Sequence, residues 1–337
     1  MIWLTWRQLR PMLIAAGAVL CAAAVYFIAT GVHIRHTYSA DLNTCHANCQ
    51  QVLNDFAASY QNLRALIQLI VQATPALIGI FWGAPLIAVE FERGTHRMVW
   101  NQSVTPVRWL AVKLASGALA SIVTVGLLSL LFTWWAGPQD KIDTDRFDWN
   151  VFGTRDITPI GYALFAFALG ALLGLVIHRG VLPAMAATVV VFVGVQVLVA
   201  TQVRPNLMPA HTATVSVDAQ LLSHPVNTTI TGSPSGPKVS FKVSPPAGSW
   251  KLSQTAVMDG SGAPLPAKAV QDCIEGPSIQ SQTDLATCLA PYNPHVGVRY
   301  EPASDFWPLQ WYETGIHVAL AGVLAGLCFW RIRRHRD

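Results

Sequence analysis

Apolar runs without a single charge alternate with short polar segments along most of this chain. Six such runs, Pro11–His33, Ala65–Val89, Leu114–Gln139, Ile157–Ile177, Gly180–Val203 and Thr314–Trp330, contain no Asp, Glu, Lys or Arg. A helix needs roughly 20 apolar residues to cross the hydrocarbon core of a bilayer, and about 17 to 25 are commonly seen. All six runs reach that length, Thr314–Trp330 only just. A buried helix of a soluble protein can imitate one of them, but not six. The pattern predicts an all-α membrane protein with six transmembrane helices. Arg7 and Arg10 precede the first run as in a signal peptide, but the run is longer than the usual apolar region of one. It reads as a retained helix.

Between the runs the periodicity changes. Leu42, Cys45, Cys49, Val52, Phe56, Tyr60 and Leu63 recur at spacings of three and four. They form an amphipathic stripe that runs into the second span and predicts packing against another outer element or a second subunit. From Arg204 to Tyr312 the pattern is no longer helical. This stretch holds 14 of the 21 prolines, and alternating runs at 212–217 and 238–243 read as short strands between Pro and Gly turns. The reading is a β-rich extracellular domain between the fifth and sixth spans, with a partly disordered loop as the competing reading. The chain therefore divides into 1–203 (spans one to five), 204–312 (the outer domain) and 313–337 (the sixth span with a basic tail). Small-residue steps at Ala166, Gly170 and Gly174 and at Gly322 and Gly326 mark faces for close helix packing. The opening MetIleTrpLeuThrTrpArgGlnLeuArg suits an interfacial flank of the first span.

Composition agrees with the pattern: 12% of residues are charged, 52% are hydrophobic and the mean hydropathy is +0.40. Basic residues cluster in short segments before the first span, between the second and third, between the fourth and fifth, and after the sixth. Those segments hold 11 of the 22 Lys and Arg. The positive-inside bias then puts both termini in the cytoplasm of a multi-pass plasma-membrane protein. The net charge of +4 follows from this bias and does not point to nucleic acid. Cys45, Cys49, Cys273 and Cys288 fall in outer segments, where disulfides persist. The favoured pairs are Cys45–Cys49 and Cys273–Cys288, although an i,i+4 bond inside a regular helix is strained.

Several chemistries are missing. No Walker A loop, H-E-x-x-H or G-x-S-x-G occurs; Gly232–Gly236 reads GlySerProSerGly. The acidic loop Asp140–Asp148 lacks the glycine and terminal glutamate of a calcium loop and reads as a solvated face. His33, His36, Cys45, His46 and Cys49 match no structural zinc spacing, so no metal is expected. Within the spans, Gln68, Gln72 and Gln196 are the main polar intrusions. Gln72 and Gln196 are candidates for a substrate path, against the commoner role of interhelical glue. Pro75 and Pro85 predict a disturbed second span. The loop over 90–106, mixed in charge and bracketed by two spans, allows a short helix parallel to the membrane.

GlyAlaProLeuIleAlaValGluPheGluArgGlyThrHisArg (83–97) followed by SerValThrProValArgTrpLeuAlaValLysLeu (103–114) resembles membrane permeases of the type-2 ABC exporter family, in the form common in actinobacteria. TrpArgGlnLeuArg (6–10), ArgProAsnLeuMetPro (204–209) and PheTrpProLeuGlnTrpTyrGluThrGly (306–315) are similar to the same group. The resemblance implies a permease, not itself an enzyme, that dimerises, expected as a homodimer. It implies two separately encoded ABC ATPase subunits that hold the ATP and Mg, leaving no cofactor in this chain. It also implies that the loop over 90–110 carries a coupling helix, with Glu90, Glu92, Arg93, Gly94, Thr95, His96 and Arg97 forming or supporting the ATPase contact. Membrane lipid is the remaining partner. The rival reading is a non-transporting scaffold or sensor whose outer domain binds a ligand. A membrane-embedded enzyme ranks behind both, because no catalytic constellation is present.

Overall fold

A computed structural model describes residues 2–44, 49–92, 105–142, 145–177, 180–217, 228–233, 236–241, 243–275 and 282–334. The chain forms two compact units, Met1–Leu207 with Phe306–Asp337, and Met208–Asp305.

Among the described residues of the first unit, six helices are long and apolar enough to cross a membrane. The first span belongs to α1 (Ile2–Thr44), which continues without interruption through Pro11 and past the apolar run. The second comprises α2 (Cys49–Ile78), a π-helical turn at Gly79–Gly83 and α3 (Ala84–Glu92). The third is α4 (Pro106–Asp140), started by Thr105, whose hydroxyl accepts from the Arg108 N–H, and by Pro106 in the first turn. A short helix α5 (Trp149–Phe152) leads to the fourth span, α6 (Thr158–Val176). The fifth is α7 (Val181–Leu198), continued by a second π turn at Val199–Val203 and a 3-10 turn at Arg204–Asn206.

The sixth span lies in α10 (Phe306–Arg334), whose last turn carries Arg331, Arg333 and Arg334, favourably placed against the helix dipole. At 29 residues it is well over the length needed to cross. A charge-free run stops at the first charge. The helix instead continues through Glu313, because that carboxylate is paired inside the bundle.

The two π turns share a cause. The Ala84 N–H closes the first by donating to Gly79 O, and the Arg204 N–H closes the second by donating to Val199 O. Each donor immediately precedes a proline, Pro85 or Pro205. Proline has no N–H to continue the ladder and its ring crowds the carbonyl four residues back, while Ala84 and Arg204 themselves keep α-helical backbone. A wider turn at that point keeps the donor satisfied.

The fourth span is the central post: 72% of its apolar window is buried, against 6% for the first span and 17% for the fifth and sixth. It is seated on the second span through glycines. A Cβ on Gly79 would meet Ala166 O at 2.7 Å, one on Gly83 would meet Phe167 O at 2.5 Å, and one on Gly174 would meet Ala84 O at 2.4 Å. The predicted step Ala166–Gly170–Gly174 is therefore an intrachain seam. Gly322 and Gly326 have nothing within 4 Å of where a Cβ would be. One core gathers Ile87, Leu110, Phe167, Leu175, Cys328 and Ile332 from the second, third, fourth and sixth spans. Another packs Phe27, Ile34, Phe56, Phe132 and Trp135 from the first three. Phe56, Tyr60 and Leu63 of the amphipathic stripe lie in or against this core, so the stripe's partner is the extended first helix of the same chain.

In the second unit, β1 (His211–Ser216), β4 (Trp250–Gln254) and β5 (His295–Glu301) form an antiparallel sheet in the order β1-β5-β4. A hairpin of β2 (Thr228–Ser233) and β3 (Gly236–Phe241) and the helices α8 (Ala267–Ile274) and α9 (Gln282–Leu289) complete it. Val239, Phe241, Val270, Leu289, Val296 and Val298 make its core. A disulfide joins Cys273 to Cys288 across the two helices. Cys49 is also disulfide-bonded, and Cys45 lies outside the described residues.

Candidate functional site

Among the described residues, three buried polar groupings interrupt the apolar bundle. The first joins the second and third spans beside the loop predicted to contact an ATPase. Glu90 closes the second span and is buried. Its Oε1 accepts from the Lys113 ammonium, which also donates to Leu86 O at 3.1 Å and lies 4.7 Å from the Trp109 ring centroid. Lys113 is 2% exposed. A lysine can sit there only because carboxylate, carbonyl and indole together replace its water. Of the other residues expected at the ATPase contact, Glu92 is exposed at the end of α3. Arg93, Gly94, Thr95, His96 and Arg97 lie outside the described residues. Lys113 was not singled out by the sequence, although it lies in the 103–114 motif; it was counted among the charges that set topology.

The second grouping lies where the fourth, fifth and sixth spans meet, at the end where Leu207 leaves and Phe306 returns. Arg204 donates to both oxygens of Glu313, Nε to Oε2 at 2.6 Å and Nη2 to Oε1 at 2.8 Å. Tyr162 donates its hydroxyl to Glu313 Oε1, and Arg204 lies 4.2 Å from the Phe152 ring centroid. One turn on, His317 Nδ1 faces Glu313 O at 2.8 Å, and its Nε2 faces Gln196 Nε2 at 3.2 Å. A carbonyl only accepts, so Nδ1 carries the proton and Nε2 accepts from the Gln196 amide. That is a neutral imidazole in a fixed tautomer. Gln310 closes the grouping: its Oε1 accepts from the Thr158 N–H at 3.1 Å, and its Nε2 donates to Phe152 O at 3.1 Å. Gly161 makes the crossing possible, since a Cβ there would meet Thr314 Cα at 3.2 Å.

Gln196 thus bonds His317, while Gln72 is half-buried on the second span and joins none of these bonds. The sequence hinted at this grouping in one way: Arg204 lies in the 204–209 motif and Glu313 in the 306–315 motif. Both charges bounded apolar runs and so were counted as lying outside them.

The third grouping corrects the reading of the acidic loop. Asp140 accepts from Arg155 at 2.9 Å and from Arg64 at 3.3 Å, and Asp148 caps α5 through the Asn150 N–H at 2.9 Å. Arg155, 3% exposed, also donates to Phe132 O at 3.2 Å. Burial draws it down to about 10, although the Asp140 charge acts in the opposite sense. Asp156 is raised, chiefly by burial, with the Arg155 charge opposing. These aspartates organise the segment between the third and fourth spans.

Residues 17–204 match a family model described as ABC-2 membrane transporter related. The chain belongs to that family. It is an ABC-2 type permease, a multi-pass protein of the plasma membrane, and the permease component is not itself an enzyme. Membership in the ABC-2 family implies partnership with ABC ATPase subunits. Neither a search of curated proteins nor one of solved structures found a match. The ABC-2 match begins within the first span, takes in the second to fifth and the Glu90–Lys113 pair, and ends at Arg204.

Proposed function

We propose that this permease is the membrane half of an ATP-driven exporter. Two copies would form the translocation unit with two ATPase subunits, on which ATP and Mg are bound. Both termini would face the cytoplasm, and cargo would leave on the side of residues 208–305. ATP binding would draw the ATPases together and push on the loop that follows Glu92. The permease dimer would then open outward, by alternating access between two states that nucleotide stabilises unequally. Gln72 and Gln196 are offered as contacts for an amphipathic or lipid-soluble cargo, surrounding lipid as the remaining partner, and nucleic acid has no place in the scheme.

The observation that carries this reading is the buried Glu90–Lys113 pair. It ties the last turn of the second span to the first turns of the third, on either side of the proposed coupling loop. A push on that loop would move the two spans as one body. The test is purification from native membranes followed by reconstitution. An ATPase should co-elute, and its hydrolysis should rise in the complex. Charge reversal at Glu92 or Arg93 should preserve assembly and abolish stimulated hydrolysis. Consistent failure to recover an ATPase would favour a scaffold, and transport that survives those reversals would remove the coupling assignment.

A further inference from the structure

Exposed tryptophans mark the membrane boundary on the sixth span. Trp311 and Trp330 are 64% and 54% exposed. Their separation along α10 is about 28 Å, close to the thickness of the hydrocarbon core. Indoles favour the headgroup level, so Arg331, Arg333 and Arg334 lie in or just beyond one headgroup layer. Val323, Leu327, Trp330 and Arg334 follow one another at spacings of four, three and four and share one face of α10. That face is apolar toward the middle of the span and cationic at its edge, where the Arg334 guanidinium lies 5.4 Å from the Trp330 ring centroid.

Two more arginines come to the same level. The core that holds Cys328 and Ile332 of the sixth span also holds Trp109 and Leu110 of the third, and Met12 and Leu13 of the first pack against it. Arg108 directly precedes Trp109 and Arg10 lies just before Met12, and both are exposed. Elsewhere in the bundle a buried cation is given a carboxylate: Lys113 has Glu90, Arg155 has Asp140 and Arg204 has Glu313. Among the described residues, none of these five arginines has an acidic partner within ion-pair distance. Arg331 is half-buried, and its Nε is buried without an acceptor. The last turn of α10 carries a partial negative charge of about half a unit, which its three arginines more than offset. A phosphodiester brings negative charge and paired acceptor oxygens, the geometry a guanidinium binds best. An acidic protein segment would match the arginines but leave Val323 and Leu327 uncovered, whereas acyl chains cover both. We propose that this end of the first, third and sixth spans binds the headgroup phosphate of an anionic phospholipid, whose acyl chains lie along Val323 and Leu327. The site needs neither nucleotide nor a partner chain and stands independently of the transport reading.

The full chain in nanodiscs of mixed phosphatidylglycerol and phosphatidylcholine provides the test, with retained lipid counted by native mass spectrometry. Wild type should retain phosphatidylglycerol in preference to phosphatidylcholine. Arg331→Gln combined with Arg334→Gln should reduce that preference by about fivefold for each arginine removed. Arg10→Gln combined with Arg108→Gln, both at exposed positions that do not endanger folding, should reduce it in the same direction. Lys141→Gln removes the same charge at the opposite end of the third span and should leave the preference unchanged. Inorganic phosphate at millimolar concentration should not displace the lipid. Equal retention of the two lipids by wild type, or unchanged preference in both double variants, would overturn the proposal. An equal loss in Lys141→Gln would replace it with a diffuse effect of net charge, and full displacement by phosphate would replace it with a free-anion site. Double variants that lose a co-purifying ATPase while keeping phosphatidylglycerol would assign the arginines to that protein instead.

Discussion

Arg204 and Glu313 meet through two parallel hydrogen bonds in a setting where both are almost fully buried, at 2% and 0% exposure. The pair binds the end of the fifth span to the first turns of the sixth, with Tyr162 bringing in the fourth. Neither charge has water to fall back on, so removing one partner leaves the other uncompensated. Glu313→Ala or Arg204→Ala should each destabilise the bundle by about 3–5 kcal/mol. The double variant Arg204→Met with Glu313→Leu should recover much of that loss. Thermal unfolding of the purified protein would check it; a double variant no better than either single one would mean the pair is not the unit of stability.

The Glu90–Lys113 pair makes a different prediction, because it separates charge from connection. Lys113→Met should lower both stability and any stimulated hydrolysis by a partner ATPase. The exchange Glu90→Lys with Lys113→Glu keeps one charge of each sign between the second and third spans. It should restore part of both quantities relative to the single changes. Hydrolysis assays on the reconstituted complex, paired with unfolding curves, would detect this. If Lys113→Met lowers stability alone, the pair is a fold element and not part of a coupling path.

Glycine contacts allow a sharper contrast between two seams. A Cβ at Gly170 would lie 2.3 Å from Gly79 O and 2.8 Å from Ala84 N, and backbone cannot move aside as a flexible side chain can. Gly170→Ala should therefore cost at least about 1–3 kcal/mol, the usual penalty of overpacking. Gly322→Ala meets nothing within 4 Å and should leave the fold of the single chain unchanged. If Gly322→Ala instead shifts the population of crosslinked dimers, the open face of the sixth span is covered by a second copy.

The six spans were legible because each apolar run is long enough to cross, and membrane helices have few alternatives for satisfying their backbone. Their ends were not. A charge was taken as a stop, but Glu313 and Arg204 remain within helical structure because they stop each other. The same reasoning hid Lys113, which in sequence is one more basic residue setting topology. Its distance from Glu90, 23 positions along the chain, gives no local periodicity to detect. The small-residue step at 166–174 was visible as a packing face, whereas its partner on the second span was not, because Gly79 and Gly83 lie in a π turn. Asp140 was misread for want of knowing that Arg155, 15 residues later, folds back onto it.

The disulfide of the second unit encloses a loop with a sequence separation of 15 residues. Constraining a loop of that size in the unfolded chain is worth about 3 kcal/mol. Replacing Cys273 and Cys288 together by Ala should lower the stability of residues 208–305 by that order and leave the helical unit's unfolding in place. Hydrogen exchange read separately in β5 and in the fourth span distinguishes the two. Equal loss of protection in both would show that the disulfide's effect is not confined to the unit that contains it.

Glu301, the last residue of β5, should contribute to the pH response of that unit. It is 1% exposed, its Oε2 makes no hydrogen bond among the described residues, and burial together with the neighbouring Asp305 carboxylate raises it above the usual range. An acid whose folded value is raised holds its proton longer in the folded state than in the unfolded one. The stability it contributes is complete below the ordinary glutamate value of about 4.3 and is lost as pH rises through the raised value. Asp259 works in the opposite sense. Its Oδ1 accepts from Ser261 Oγ at 2.5 Å, from the Ser261 N–H at 2.9 Å and from the Ala263 N–H at 3.1 Å, which lowers it. Its contribution is lost as pH falls. Glu301→Gln should remove the decline at rising pH and leave the acid-side loss untouched, whereas Asp259→Asn should do the reverse. Exchange protection of β5 between pH 3 and 7, corrected for intrinsic amide chemistry, reads both arms. A decline that persists in Glu301→Gln would mean that another group in the unit carries the proton.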